Sequence, residues 1–355
     1  MDCKIYSRLI SLLDQKESIC SATILNGRLV GNKLLFERGD EQHVRRTSVF
    51  AGNDSPDCWE PFFAEIAETK ETSVISADGT EIIVEIFMDK PRLVILGGGH
   101  VGMCTAKLGK ELDFHVTVVD DRPEFADPKR FPTADALICA DFKDIWDKIP
   151  DTQNSYYVIA TRGHLGDEVC ALEILKRTCV YKGMIGSRGK IAATKKHFKE
   201  AGYTDEQIAE LHAPIGLPIG GQTPMEIAVS IMAEIVQSRY ARFYSVMDPD
   251  IWKEIETPTA EAGVVVTIIN KEGSSPRGVG TKMIVLPSGT IRGTIGGGSL
   301  EYAAICTARE MMERGEKEVR LENYDLSNAK GAVLGMICGG KIRALLEPQD
   351  LKREE

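Results

Sequence analysis

Short apolar runs separated by stretches of helical spacing organise the middle of this chain. Leu93 to Leu96 is such a run, and it reads as a strand of a buried parallel sheet. Val116 to Val119, Ala134 to Ala140, Tyr156 to Ala160 and Val180 to Ile185 read as further strands, with helices from about Val101 and around Asp167 to Lys176. Strand and helix in this alternation predict an α/β domain of the doubly wound, parallel-sheet kind. Residues 214 to 224, PIGLPIGGQTP, are a loop that feeds a helix. Thr223 suits its N-cap, Pro224 its first position and Glu226 the capping box, while Ile227, Ile231, Ile235 and Val236 mark the packed side. The domain is expected to end near Tyr244.

The flanks have a different pattern. Val264 to Ile269, Lys282 to Leu286 and Thr290 to Thr294 read as strands, with a turn at Pro287-Ser288-Gly289. A helix follows from about Ser299 to Arg314, with Gly315 at its stop. The N-terminus resembles a worn copy of this region: Ala22 to Asn26 parallels Val266 to Asn270, and Gly31 to Phe36 parallels Gly280 to Val285. Four residues separate the two pieces in the first copy and nine in the second. Ahead of the copy, Ile5, Leu9, Leu12 and Leu13 lie at helical spacing and predict a surface helix. Three segments are therefore expected, at residues 1–90, 91–246 and 260–350.

Chemistry enters with the glycines. Gly97, Gly99 and Gly102 form a Gly-x-Gly-x-x-Gly run between the first strand and its helix, where the first glycine permits the turn, the second admits a pyrophosphate and the third lets the helix close on the strand. Asp120 and Asp121 follow at the end of the next strand, 18 and 19 residues past Gly102, where a carboxylate would meet a ribose hydroxyl. NAD or a related adenine nucleotide is the expected ligand. Loops after the later strands should line the same crevice, which makes Arg162, His164 and Arg188 candidate contacts. A second glycine turn, Gly296-Gly297-Gly298, opens a helix near Ser299 and would offer N–H groups to an anion.

Composition narrows the classes. A chain of 355 residues suggests two or three domains, and a net charge of −10 argues against a nucleic-acid partner. With no apolar run long enough to span a bilayer and no secretory leader pattern, a cytoplasmic location away from membranes is expected. Nine cysteines without a C-x-x-C spacing argue against structural zinc and a disulfide framework.

The motifs ILGGGHVG (95–102), VTVVDDRPEFA (116–126), TRGHLGD (161–167), GMIGSRGK (183–190), GSSPRGVGTKM (273–283), GTIGGGSLE (293–301) and GMICGG (335–340) together resemble the XdhC/CoxI family of xanthine dehydrogenase accessory factors. The resemblance implies a Rossmann-type domain plus a smaller α+β XdhC/CoxI domain, here with a degenerate copy at the N-terminus. It further implies an accessory protein that binds the molybdenum cofactor (molybdopterin), assists its sulfuration and delivers it to an apo molybdenum hydroxylase. The sulfur donor would be a protein such as a cysteine desulfurase, and a homodimer is left open. Carried onto this chain, the motifs put His100, Ser274, Ser275, Arg277, Ser299, Glu301, Cys338, Gly339 and Gly340 among the cofactor contacts, beside the glycines and loop residues named above. Two features depart from the family pattern. The intact GSSPR segment follows the Rossmann segment instead of preceding it, and Ser299 stands where many members have a cysteine. Cys338 is left as the sulfur best placed to meet molybdenum. The competing classes are an NAD-dependent oxidoreductase using His164 as its acid/base, and an adaptor that docks on the hydroxylase with neither site occupied.

Overall fold

The computed structural model of the protein describes residues 5–13, 15–16, 18–51, 56–240, 247–260, 262–272, 277–325 and 341–351. The chain divides into two compact units: its two ends, Met1–Asp89 and Phe243–Glu355, form one, and its middle, Lys90–Arg242, forms the other. The segments expected at the two ends thus belong to a single body.

In the first unit, α1 (Ile5–Leu13) buries Ile5, Tyr6, Leu9 and Leu13, the one-sided burial that its apolar spacing demands. It leads into β1 (Ser18–Ile24), β2 (Lys33–Phe36), α2 (Glu41–Thr47), β3 (Val49–Ala51), α3 (Phe63–Glu68), β4 (Ser73–Ala77) and β5 (Thr80–Met88). These strands make an antiparallel sheet of order β3-β2-β1-β5-β4.

The middle unit runs β6 (Arg92–Leu96), α4 (His100–Glu111), β7 (His115–Asp120), β8 (Ala136–Cys139), β9 (Ser155–Ile159), α5 (His164–Leu175), β10 (Tyr181–Met184), α6 (Arg188–Glu200), α7 (Asp205–Ala209), β11 (Leu211–His212) and α8 (Pro224–Tyr240). Its sheet is parallel throughout, in the order β11-β10-β9-β6-β7-β8. The chain leaves β6 for β7 and β8 on one side and returns to β9 on the other, so the order reverses between β6 and β9. That is where a doubly wound sheet opens its crevice. The core lies on both faces: Leu93, Ile95, Val116 and Val118 pack with Ile231 and Ile235 of α8, while Leu96, Val119 and Ile159 pack with Ile174 of α5 and Ile191 of α6. At the start of α8, Thr223 Oγ1 accepts from the Glu226 N–H at 3.3 Å and Glu226 accepts from the Thr223 N–H at 2.9 Å, which closes the expected capping box. The end expected near Tyr244 lies outside the described residues.

The C-terminal part of the first unit runs α9 (Pro249–Glu256), β12 (Ala262–Glu272), β13 (Lys282–Val285), β14 (Ile291–Gly293), α10 (Gly298–Glu313), β15 (Arg320–Asp325) and β16 (Lys341–Asp350). Its sheet order, β14-β13-β12-β16-β15, repeats that of the N-terminal sheet strand for strand. β12 is longer than the apolar run alone predicts, because it pairs with β16 from Ala262 opposite Asp350 to Glu272 opposite Lys341.

The two sheets exchange charges across their buried faces. Lys33 on β2 pairs with Glu347 on β16 at 2.9 Å, and Lys282 on β13 pairs with Glu85 on β5 at 2.8 Å. Register makes the exchange reciprocal. Thr23 lies opposite Lys33 and Ile83, and Thr267 lies opposite Lys282 and Leu345; Glu85 stands two residues past Ile83, and Glu347 two past Leu345. All four charges are buried, and Tyr6 joins them by donating to Glu347 at 2.9 Å. Burial pushes the Glu347 carboxyl up, but Lys33 and Lys282 outweigh it and hold the group below its ordinary value.

Candidate functional site: a glycine-lined crevice and a second glycine turn

The crevice is assembled from loops at the carboxyl ends of the parallel strands. Gly97 leaves β6 with φ +124°, and a Cβ there would stand 2.2 Å from the Ala160 carbonyl oxygen at the exit of β9. Only glycine permits both the conformation and the approach. Gly102 lies in the first turn of α4, where a Cβ would come within 2.1 Å of the Gly97 carbonyl oxygen. The fingerprint glycines at 97 and 102 are therefore packing positions. Gly99 differs, since no heavy atom lies within 4 Å of where its Cβ would be, and as the N-cap of α4 it supplies no side-chain hydrogen bond to the helix. His100 follows it and is exposed.

Asp120 turns inward. Its Oδ2 accepts from the Gly98 N–H at 2.8 Å and from Arg122 Nη2 at 3.0 Å; its Oδ1 accepts from the Arg122 main-chain N–H at 3.0 Å and from Arg122 Nε at 2.8 Å. Burial alone would raise its carboxyl, but these donors hold it below the ordinary carboxylate range. Asp121, in contrast, is exposed, with an oxygen 3.6 Å from Arg122 Nε. Gly98 was not singled out by the sequence pattern, yet it is gripped from both sides. Arg130 donates to its carbonyl at 3.2 Å, and a Cβ on it would lie 2.2 Å from the Phe125 carbonyl oxygen.

Across the switch point, α5 begins at His164, three residues before the expected Asp167, with Gly163 as an N-cap that makes no side-chain hydrogen bond. Asp167 is buried and reaches back to accept from the Thr161 N–H at 3.1 Å and the Thr161 hydroxyl at 2.6 Å; Lys190 donates to its other oxygen. This ion pair ties the first turn of α5, which follows β9, to the first turn of α6, which follows β10. Sequence reasoning named the exposed Arg162 and Arg188 there and missed Asp167 and Lys190, although both stand in the quoted motifs. Arg188 opens α6, whose N-cap Ser187 accepts from the Lys190 N–H.

The second glycine turn already holds an anion of its own. Gly296, Gly297 and Gly298 have φ of +123°, +74° and +70°, a run that demands glycine. Glu301, in the first turn of α10, folds back and accepts from the Ile295 N–H at 3.0 Å, the Gly297 N–H at 3.1 Å and the Thr294 hydroxyl. The N–H groups expected to face a ligand are in part satisfied by the protein. Ser299 is half-buried and Arg277 exposed; Ser274, Ser275, Cys338, Gly339 and Gly340 lie outside the described residues. Among the described residues, no three His, Cys, Asp or Glu side chains cluster to hold a metal ion. None of the described helices is long and apolar enough to cross a membrane.

Two family models match the chain: the XdhC Rossmann domain over residues 93–235, and the XdhC and CoxI family over residues 259–325. Among curated proteins, the uncharacterized protein YqeB of Escherichia coli is 32% identical over 157 residues, 44% of this chain and 29% of that protein. A probable xanthine dehydrogenase subunit from Bacillus subtilis is 31% identical over 162 residues, 45% of this chain and 46% of that protein. The chain thus spans less than half the length of these relatives. A crystal structure of a xanthine dehydrogenase from Bacillus halodurans superposes with a TM-score of 0.52 at 20% identity, covering 71% of this chain and 68% of that one, a likeness of fold.

Proposed function

Since the chain belongs to the XdhC and CoxI family, we propose that it is an accessory protein for maturation of a xanthine dehydrogenase-type molybdenum hydroxylase. Its cargo would be the molybdenum cofactor, which it would hold during sulfuration by a donor such as a cysteine desulfurase and pass to the apo-hydroxylase. The observation that carries this reading is the occurrence of both family-matched regions in one chain.

The crevice chemistry is that of a binder. Its two buried carboxylates are committed to internal donors, Asp120 to Arg122 and Gly98, and Asp167 to Lys190 and Thr161. A carboxylate saturated in this way is poorly placed to move a proton to or from a substrate. What the crevice offers instead is two glycine-capped helix N-termini, at Gly99 and Gly163, flanked by exposed Arg162 and Arg188. Backbone N–H groups and guanidinium donors suit the phosphate that a pterin cofactor carries. The second glycine turn fits a phosphate less well, because Glu301 holds its Gly297 N–H and Thr294 its Gly296 N–H.

The test is to purify the full chain from cells making the cofactor, oxidise it and read pterin fluorescence, then add the unoxidised protein to apo-hydroxylase. Pterin in the preparation and a gain of hydroxylase activity are expected. A preparation without pterin that leaves the hydroxylase inactive would refute the proposal.

A further inference from the structure

The two antiparallel sheets of the first unit meet as the halves of a dimer do. Thr23 lies opposite Lys33 on one neighbouring strand and Ile83 on the other, and Thr267 lies opposite Lys282 and Leu345 in the same way. Positions along the paired strands are therefore equivalent: Lys33 to Lys282, Ile83 to Leu345, and Glu85 to Glu347. Each sheet covers its outer face with helices of its own, α2 and α3 on one and α10 on the other. The inner faces cover each other. Leu25 and Ile83 pack with their own equivalents, Ile269 and Leu345, while Lys33 takes Glu347 and Lys282 takes Glu85. Beside them, α1 packs against α9.

Glu81 and Arg343 mark the axis. Glu81 stands two residues before Ile83 and Arg343 two before Leu345, so they too are equivalents, and Arg343 Nη1 donates to Glu81 at 2.8 Å. Residues that meet their own equivalents lie on a two-fold axis, and around such an axis every off-axis contact occurs twice. The two buried Lys–Glu pairs are that doubled contact. A face carrying both a lysine and its glutamate partner is self-complementary, so it can be satisfied by the matching face of another molecule as well as by its own.

From this symmetry we propose that the inner sheet face is a dimerisation surface fitted to a second copy of this chain, which the chain's own opposite end fills from within. The N-terminal half then acts as a built-in partner subunit for the C-terminal half. When closure within one chain is blocked, two copies join by sharing their ends across the same face. This role needs no cofactor and is independent of the maturation reading.

The experiment blocks closure by charge in the full chain. One variant carries Glu85→Lys with Glu347→Lys, which makes all four buried positions lysine; the other carries Lys33→Glu with Lys282→Glu, which makes them all glutamate. Alone, each buries only like charges and should melt about 10 °C or more below wild type. Unfolded and refolded together, they should form a complex of one copy of each, read by native mass spectrometry, whose melting temperature returns to within a few degrees of wild type. A mixture that melts no higher than its components, or that yields no such complex, would overturn the proposal even if both variants aggregate alone. So would either variant melting by itself like wild type, since the face would then close without its charges.

Discussion

Two glycine turns each deliver the chain to a helix N-terminus, and the protein treats them in opposite ways. At Gly97 to Gly99, the resident carboxylate Asp120 takes one N–H, is tied up by Arg122, and leaves the mouth of α4 clear at Gly99. At Gly296 to Gly298, the resident carboxylate Glu301 sits on the turn itself and accepts from two N–H groups and a hydroxyl. Both turns expose donors in the sequence; only the first leaves its opening free. The lesson is that a glycine run specifies backbone shape, and its vacancy is settled by whichever side chain folds back on it.

The largest effect is expected where backbone and neighbour both demand glycine. Gly97→Ala combines a forbidden φ with a Cβ 2.2 Å from the Ala160 oxygen, so it should destabilise the Rossmann unit by about 3 kcal/mol or more. A melting temperature within a degree or so of wild type would mean that the loop is not packed as described.

Next comes the first carboxylate. Asp120→Ala should cost about 2 to 4 kcal/mol, since it strands the Gly98 N–H and the Arg122 guanidinium. The pH dependence has a definite sign. Asp120 ionises below its ordinary value in the folded protein, so its stabilisation is complete above about pH 4 and is lost as the pH falls through the lowered value. The melting-temperature gap between wild type and Asp120→Asn should be flat near neutrality and close in acid. A gap that closes on the alkaline side instead would contradict the assignment.

Glu301→Ala should cost less, about 1 to 2 kcal/mol, and should also reverse the comparison by freeing the Ile295 and Gly297 N–H groups. Inorganic phosphate should then raise the melting temperature of the variant more than that of the wild type. Equal shifts in both would show that the turn is no anion seat even when emptied. The smallest change in stability belongs to Gly99→Ala, within about 1 kcal/mol, because its Cβ meets only open space. Its effect should instead appear as less pterin retained by the purified chain, and undiminished pterin would place the cofactor elsewhere.

Much of the fold was legible because the signals are local. The five parallel strands β6 to β10 appeared as apolar runs, and the structure moves their ends by a residue or two. The capping box at Thr223 and Glu226 is a three-residue code that the fold satisfies. Less of the site was legible. Asp120 stands where the spacing puts a ribose acceptor, but the spacing gives no sign that its carboxylate is engaged by the Gly98 N–H and by Arg122, also in the quoted motif. Asp167 and Lys190 are 23 residues apart, and no pattern in the chain announces their pairing.

By itself the sequence determined the kinds of element, their order, and the places where only glycine can turn, since hydrophobic period and backbone sterics act over a few neighbouring residues. Tertiary structure decided which donors remain free. It also decided that the chain's two ends share one body, where Lys33 meets Glu347 and Lys282 meets Glu85. Those outcomes depend on partners 22 residues away for Gly98 and more than 300 for Lys33, and contacts at such separation are selected by packing in three dimensions, where a buried charge or N–H group must find whatever partner the fold brings to it.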